Sequence, residues 1–251
     1  MVDPIPTRTR VATGARAIVR DEGLRAYMLR VYNLMASGVL LTGIFAILGY
    51  RVDAIRALLY HEVVTPYGVS LGLTALGWIV TLAPLGIVFA LSFGRRIQPQ
   101  TAGILFWVFA ALMGLSLSSI FFVFTGVSIA RTFFVTAAAF GALSLYGYTT
   151  KRDLSGFGTF LFMGLIGIVL AAVVNMFLRS TMMDFVISAV GVLVFAGLTA
   201  YDTQRLKDIY YEVAGDVTAI KRSAIMGALA LYLDFINLFL MLLRFMGQTR
   251  D

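Results

Sequence analysis

Along this chain, stretches free of Asp, Glu, Lys and Arg recur, each long enough to cross a bilayer, with the charges gathered between them. A helix needs ~20 mostly apolar residues to span the hydrocarbon core, so each stretch predicts one span. The first is Val31 to Tyr50. Residues 63–94 carry no charge, but Pro66, Tyr67 and Gly68 mark a loop at their start, which places the second span near Ser70 to Phe93. The third lies near Gly103 to Phe124, the fourth over Thr132 to Thr150 and the fifth over Leu154 to Leu178. The sixth begins just after Asp184 and runs past Asp202. A polar loop from Gln204 to Arg222 separates it from the seventh, Ser223 to about Leu243. No linker divides the chain and no repeat of fixed period stands out. The pattern therefore predicts an all-α membrane protein of seven transmembrane helices: a basic segment over 1–28, one bundle over 29–247 and a tail over 248–251.

Composition agrees. The chain is 60% hydrophobic and 13% charged with a mean hydropathy of +0.90, whereas soluble domains are ~45–50% apolar and ~25% charged. Cysteine is absent and His61 is the single histidine, which excludes disulfide frameworks, thiolate zinc sites, thiol nucleophiles and multi-histidine metal cages. The net charge of +7 comes from Lys and Arg set between apolar runs. Cations so placed meet lipid head groups, and no nucleic-acid partner is expected. Fourteen of the twenty basic residues fall on the N-terminal segment or on connections of the same side, so the N-terminus is predicted cytoplasmic and the C-terminus on the far side. The first thirty residues lack the continuous apolar run of a cleavable signal. Residues 17–30 read either as an amphipathic helix on the inner leaflet or as a solvated basic tail. Gly164, Gly167, Gly191, Gly197, Ser116, Ser118 and Ser119 read as surfaces for close helix contact.

Only two acids lie well inside apolar spans, Asp202 and Asp234. An ionised carboxylate near the bilayer centre costs at least ~2.5–3.5 kcal/mol, so each needs a reason. Asp234 sits near the middle of its span, and its helical neighbours Gly227, Ala230, Asn237 and Met241 form a small and polar face that must point into the bundle. Counted from Arg205 and Arg222, the two carboxylates differ in depth by roughly 10 Å or more. They meet only if the sixth helix extends past Arg205 or the seventh starts before Ser223. In contact, burial and like charge both oppose double ionisation, so the pair shares one proton near neutral pH and titrates as a unit. Loss of that proton adds repulsion inside the bundle and attracts a cation. Out of contact, each carboxyl is served separately by Thr199, Asn237 or a backbone carbonyl. Arg95 and Arg96 follow the second helix on the same side as Asp202, and read either as a latch closing over it or as ordinary flanking cations. Arg244 reads as a snorkelling anchor.

The segments Phe-Ala-Gly-Leu-Thr-Ala-Tyr-Asp-Thr-Gln-Arg-Leu-Lys (195–207) and Ala-Leu-Tyr-Leu-Asp-Phe-Ile-Asn-Leu-Phe (230–239) carry these acids. Both resemble the last two helices of the Bax inhibitor-1 family, also called the transmembrane Bax inhibitor motif family. Leu-Met-Gly-Leu-Ser-Leu-Ser (112–118) and Arg-Ala-Tyr-Met-Leu-Arg-Val-Tyr-Asn (25–33) extend the likeness, the latter in a bacterial style, over about Arg25 to Gly247. The resemblance implies a seven-helix fold with the seventh helix surrounded by the other six, in the inner (plasma) membrane of a bacterium. It also implies a pH-sensitive calcium leak without resident cofactor, with H+ as regulator. Asp202 and Asp234 match the paired aspartates of that mechanism, and Arg96, or Arg95 if the alignment shifts by one, matches its latch. A transient Ca2+ site at Asp202 and Asp234, supported by Asn237 and Thr199, follows as the implied metal contact. One departure stands out: some members carry a Glu in helix two, where this chain has Pro84 within Thr-Leu-Ala-Pro-Leu-Gly (81–86).

Three functions compete. The first is the passive calcium or cation leak. The second is an interaction protein, since the family reaches members that modulate a membrane-anchored protease or suppress cell death. The third is intramembrane aspartyl proteolysis. That chemistry pairs Tyr-Asp with Gly-x-Gly-Asp and a later Pro-Ala-Leu, but Tyr232 and Leu233 precede Asp234 here, so no enzyme is expected.

Overall fold

The computed structural model describes residues 8–65, 68–93 and 97–250, with side chains described from Asp21 onward except over 64–70. The helices are α1 (Arg8–Arg51), α2 (Asp53–Leu59), α3 (Ala75–Phe93), α4 (Pro99–Leu117), α5 (Ile120–Val123), α6 (Gly126–Thr149), α7 (Ser155–Leu178), α8 (Thr181–Val213) and α9 (Val217–Met246). A two-stranded hairpin, β1 (Tyr60–Thr65) with β2 (Gly68–Leu73), lies between α2 and α3. Among the described residues, seven spans are long and apolar enough to cross a membrane: α1 from Asp21, α3, α4 with α5, α6, α7, α8 and α9.

The last span is the inner one. Of its most apolar stretch 56% is buried, against 33% or less for every other span. It packs chiefly against α1, α4, α6 and α8, while α3 joins through α4 and α7 through α8. Its closest packing is thus with four of the other six, while α7 and α3 contribute to the same apolar clusters as α9 at Leu161 and Leu91. Apolar side chains on those two helices, such as Ile79, Leu85 and Phe89 of α3 and Phe160, Leu170 and Phe177 of α7, are exposed and face lipid. Lipid supplies no hydrophobic drive between helices, so fit and buried hydrogen bonds hold the bundle. Tyr232, fully buried on α9, donates to Thr42 Oγ1 of α1 at 2.6 Å, and Thr42 in turn donates to the Ala110 carbonyl of α4 at 2.8 Å. Phe106 and Phe109 of α4 meet the Tyr232 ring edge-on, with centroids 6.1 and 5.1 Å away. Gly191 of α8 leaves room for Met241, whose Sδ lies 2.7 Å from where a Cβ would stand. Gly167, expected at a helix contact, instead faces open space.

Several boundaries differ from the sequence reading. The uncharged stretch before α3 is the hairpin, so the second span begins at Ala75 and not Ser70. The Tyr60 hydroxyl hydrogen-bonds Ser118 Oγ at 2.9 Å and anchors the hairpin on the bundle. Thr74 accepts from the Gly77 N–H at 2.9 Å, starting α3, and Pro84 inside α3 withdraws the bond that Val80 would otherwise receive. The third span breaks at Ser118, after which α5 completes it. Residues 17–30 belong to α1, which runs on unbroken into the bundle. There Leu24, Tyr27 and Met28 are buried, with Tyr27 5.3 Å from Tyr210 of α8. The segment boundary placed at residue 28 therefore falls inside a packed helix.

The tail is docked as well. The Gln248 N–H donates to Ser128 Oγ at 2.9 Å and the Gln248 carbonyl accepts from Thr125. Arg250 reaches the Tyr50 hydroxyl at 2.9 Å.

Candidate functional site

The stretch expected as a polar loop from Gln204 to Arg222 is almost all helix. α8 runs to Val213 and α9 starts at Val217, leaving a turn of Ala214, Gly215 and Asp216. Gly215 has φ +120°, a conformation that side chains resist, and Asp216 Oδ1 accepts from the Thr218 and Ala219 N–H groups at 2.8 and 3.0 Å. The polar residues mislead because they form the outer faces of two helices that continue beyond the apolar span. Leu206 and Tyr210 are buried while Arg205, Asp208 and Glu212 are exposed, a helical spacing already visible in the sequence.

This tight hairpin meets the condition for contact. Counted from the turn, Asp202 and Asp234 still differ by six residues, about 9 Å of rise. Side chains lean toward the N-terminus of their own helix, and α8 and α9 are antiparallel, so Asp202 leans away from the turn and Asp234 toward it. Both leans close the gap. The two carboxyls lie within hydrogen-bonding reach of each other. Asp234 is 5% exposed, and its Oδ2 is buried with no N–H or hydroxyl donor in reach. Asp202 is half-buried.

Two cavities share a wall here. One, of about 500 Å³, is lined by Tyr201, Asp202, Arg205, Asp234 and Asn237 together with α7 residues that include Thr159. The other, about 400 Å³, also touches Asp202 and Arg205, and reaches Ser92 at the end of α3 and Ser223 on α9. Asn237 thus joins the pair's cavity, with its amide donating to the Leu233 carbonyl at 2.9 Å. Thr199 does not. Its hydroxyl donates to the Phe195 carbonyl at 2.8 Å inside α8, so the expected support from Thr199 is absent from the cavity wall. Arg205, one turn beyond Asp202, lines both cavities, a placement the sequence reading passed over although the spacing of three residues was available.

A third cavity, about 680 Å³, opens at the opposite end of α8 and α9 between Asp184, Ser188 and Arg244. An apolar layer that includes Ile187, Val194, Leu238 and Met241 separates it from the carboxyl pair. Near it, Asn175 donates to Asp184 Oδ1 at 2.7 Å and accepts from the Ser180 N–H at 3.0 Å, tying α7 to α8.

A family model described as inhibitor of apoptosis-promoting Bax1 matches residues 24–251. The chain belongs to the Bax inhibitor-1 family. Among its relatives, protein RP147 of Rickettsia prowazekii is 48% identical over all of both chains. A Caulobacter vibrioides protein is 49% identical over 92% of each. The inner membrane protein YbhL of Escherichia coli is also 49% identical, over 91% of this chain and 94% of its own.

In this Bax inhibitor-1 family member Arg95 and Arg96 lie outside the described residues. Ser92, three residues before Arg95, lines the 400 Å³ cavity with Asp202. Among the described residues no three of His, Cys, Asp and Glu come together, so the acids available to a cation at this site are the Asp202 and Asp234 pair. The loop between α6 and α7 is tied down beside them. Gln204 accepts from the Leu154 N–H and donates to the Arg152 carbonyl, both at 2.8 Å. In that loop the hydroxyl and backbone N–H of Ser155 hold the Asp153 carboxyl below the usual carboxylate range.

Proposed function

We propose that this multi-pass membrane protein is a passive, pH-gated leak for calcium or a similar cation, with Asp202 and Asp234 as its proton sensor. The observation that carries the reading is the buried Asp234 carboxyl, which has Asp202 within hydrogen-bonding reach and whose Oδ2 meets no donor. Two carboxyls in such contact need a proton between them. With that proton the hairpin of α8 and α9 is closed, and the apolar layer at Leu238 and Met241 interrupts the path to the cavity at Asp184. When the proton leaves, the two charges repel, the helices part, and a cation takes the place of the proton.

Arg96, or Arg95, belongs to this reading as the latch that holds the segment after α3 over Asp202. Two carboxylates with the Asn237 carbonyl oxygen make a transient calcium site, because calcium held for storage takes six to eight oxygens. A weak site suits a path that an ion must also leave. The protein in this reading is not an enzyme. It sits in an inner membrane with its N-terminus in the cytoplasm, as the distribution of basic residues directs.

Purified protein in calcium-loaded vesicles tests the proposal. Flux is expected to rise with pH in the wild type and to lose that rise in Asp234→Asn. A wild-type flux equal at every pH, or a pH response unchanged in Asp234→Asn, rejects the sensor. Absence of any flux leaves the family's other association, modulation of a membrane protease or stress partner, as the function to pursue.

A further inference from the structure

The seam between α1 and α6 is loosely packed, with two cavities along it. Both helices lean on α9, but neither packs closely on the other. At the end of the seam nearest the α8–α9 turn lies a cavity of about 460 Å³, walled by Met28, Leu29, Tyr32, Phe140 and Leu145, with Arg25 at its mouth. No carboxylate is among its lining residues. A second cavity of about 310 Å³, lined by apolar groups that include Gly43, Ile47, Phe133 and Phe134, follows along the same two helices.

One polar atom in the upper cavity is unexplained. Ser144 is 5% exposed and its Oγ has no hydrogen-bond partner, not even the carbonyl one turn back that buried helical serines commonly take. Ser144 lies five residues inside the end of α6 at Thr149, about 7.5 Å below it. From Ser144 to Phe134 is ten residues, about 15 Å, which equals one leaflet of a hydrocarbon core ~30 Å thick. Lys207 stands at the same end, bonded to the Tyr148 carbonyl and 5.3 Å from its ring, and Tyr148 lines the cavity.

The geometry points to a resident anionic phospholipid in this seam. Its phosphate pairs with Arg25, an ester carbonyl accepts from Ser144, and one acyl chain runs down between α1 and α6 toward Phe134. The vertical order of cation, hydroxyl and apolar groove reproduces the order of groups in the lipid itself. Basic pockets between spanning helices take such head groups, and the bilayer supplies this ligand wherever the seam opens.

The test is native mass spectrometry of the full chain released from vesicles of phosphatidylcholine and phosphatidylglycerol in equal amounts. The wild type should retain phosphatidylglycerol over phosphatidylcholine by about fivefold, the factor that ~1 kcal/mol per basic residue gives. Arg25→Ala should bring the two lipids to parity. Gly141→Leu should expel both, because a side chain at Gly141 enters open space in the groove and replaces glycine in a helix, so folding is favoured. Equal retention of both lipids by the wild type, or undiminished retention in Gly141→Leu, overturns the proposal. So does a dimer that Gly141→Leu dissociates while bound lipid stays constant, since the seam then holds a second copy. None of these readings depends on cation flux.

Discussion

Replacing Asp234 with Asn removes one of two facing charges and keeps the shape. At about 4 Å and an effective dielectric of about 20, two carboxylates repel by about 4 kcal/mol. At 1.36 kcal/mol per decade that is close to a thousandfold in an equilibrium constant, so an open state disfavoured about a hundred to one becomes favoured about ten to one. In Asp234→Asn the amide donates permanently to Asp202, and the repulsion never develops. Calcium efflux from vesicles, followed with an enclosed dye across the neutral range, should therefore climb by one to two orders of magnitude in the wild type as pH rises. In the variant it should stay at the low-pH level throughout. A thermal melt shows whether the variant is folded. A folded Asp234→Asn that still opens with rising pH, or that is constitutively open, refutes the idea that repulsion within the pair drives the change.

Other expectations follow from single contacts. Gly191→Leu drives a side chain into Met241 and should destabilise by about 1–3 kcal/mol, while Gly167→Leu, which faces open space, should leave the melting temperature near the wild-type value. Asp216→Ala removes the cap of α9 and should cost about 1 kcal/mol, read from denaturant unfolding in detergent. Tyr232→Phe breaks one of the two bonds that link α9, α1 and α4. Its expected cost is about 0.6 kcal/mol and not above about 1.7, the range for such bonds in a membrane, so a larger loss would mean that Thr42 is disturbed as well.

The spans themselves were legible because lipid allows only one reading of ~20 uncharged apolar residues. Their ends were not. The hairpin at Tyr60–Leu73 is as uncharged at its second strand as the helix that follows, so hydropathy cannot divide Leu73 from Ala75. Past Arg205 the rule fails in the other direction, since α8 goes on as an amphipathic helix whose inward face is Leu206, Ile209 and Tyr210. The resemblance carried Asp202 and Asp234 to one site, and counting alone kept them apart. What joins them is the three-residue turn together with the opposite lean of their side chains, neither of which hydropathy records. Thr199 looked suitable by spacing, yet a threonine in a dry helix takes the nearest carbonyl, here Phe195.

The hairpin of α8 and α9 also behaves as a lever. From Asp202 to Val213 the chain is one unbroken helix, and Leu206 sits where Gly227 leaves space on α9. Tyr210 is braced by Tyr27 of α1 farther out. A helix this short transmits displacement with little bending, so force applied at the tip around Gly215 would arrive at the acidic pair as a change in spacing. Whatever grips that tip, whether a peptide, an antibody fragment or a neighbouring membrane protein, would pull on the joint where the two carboxyls meet.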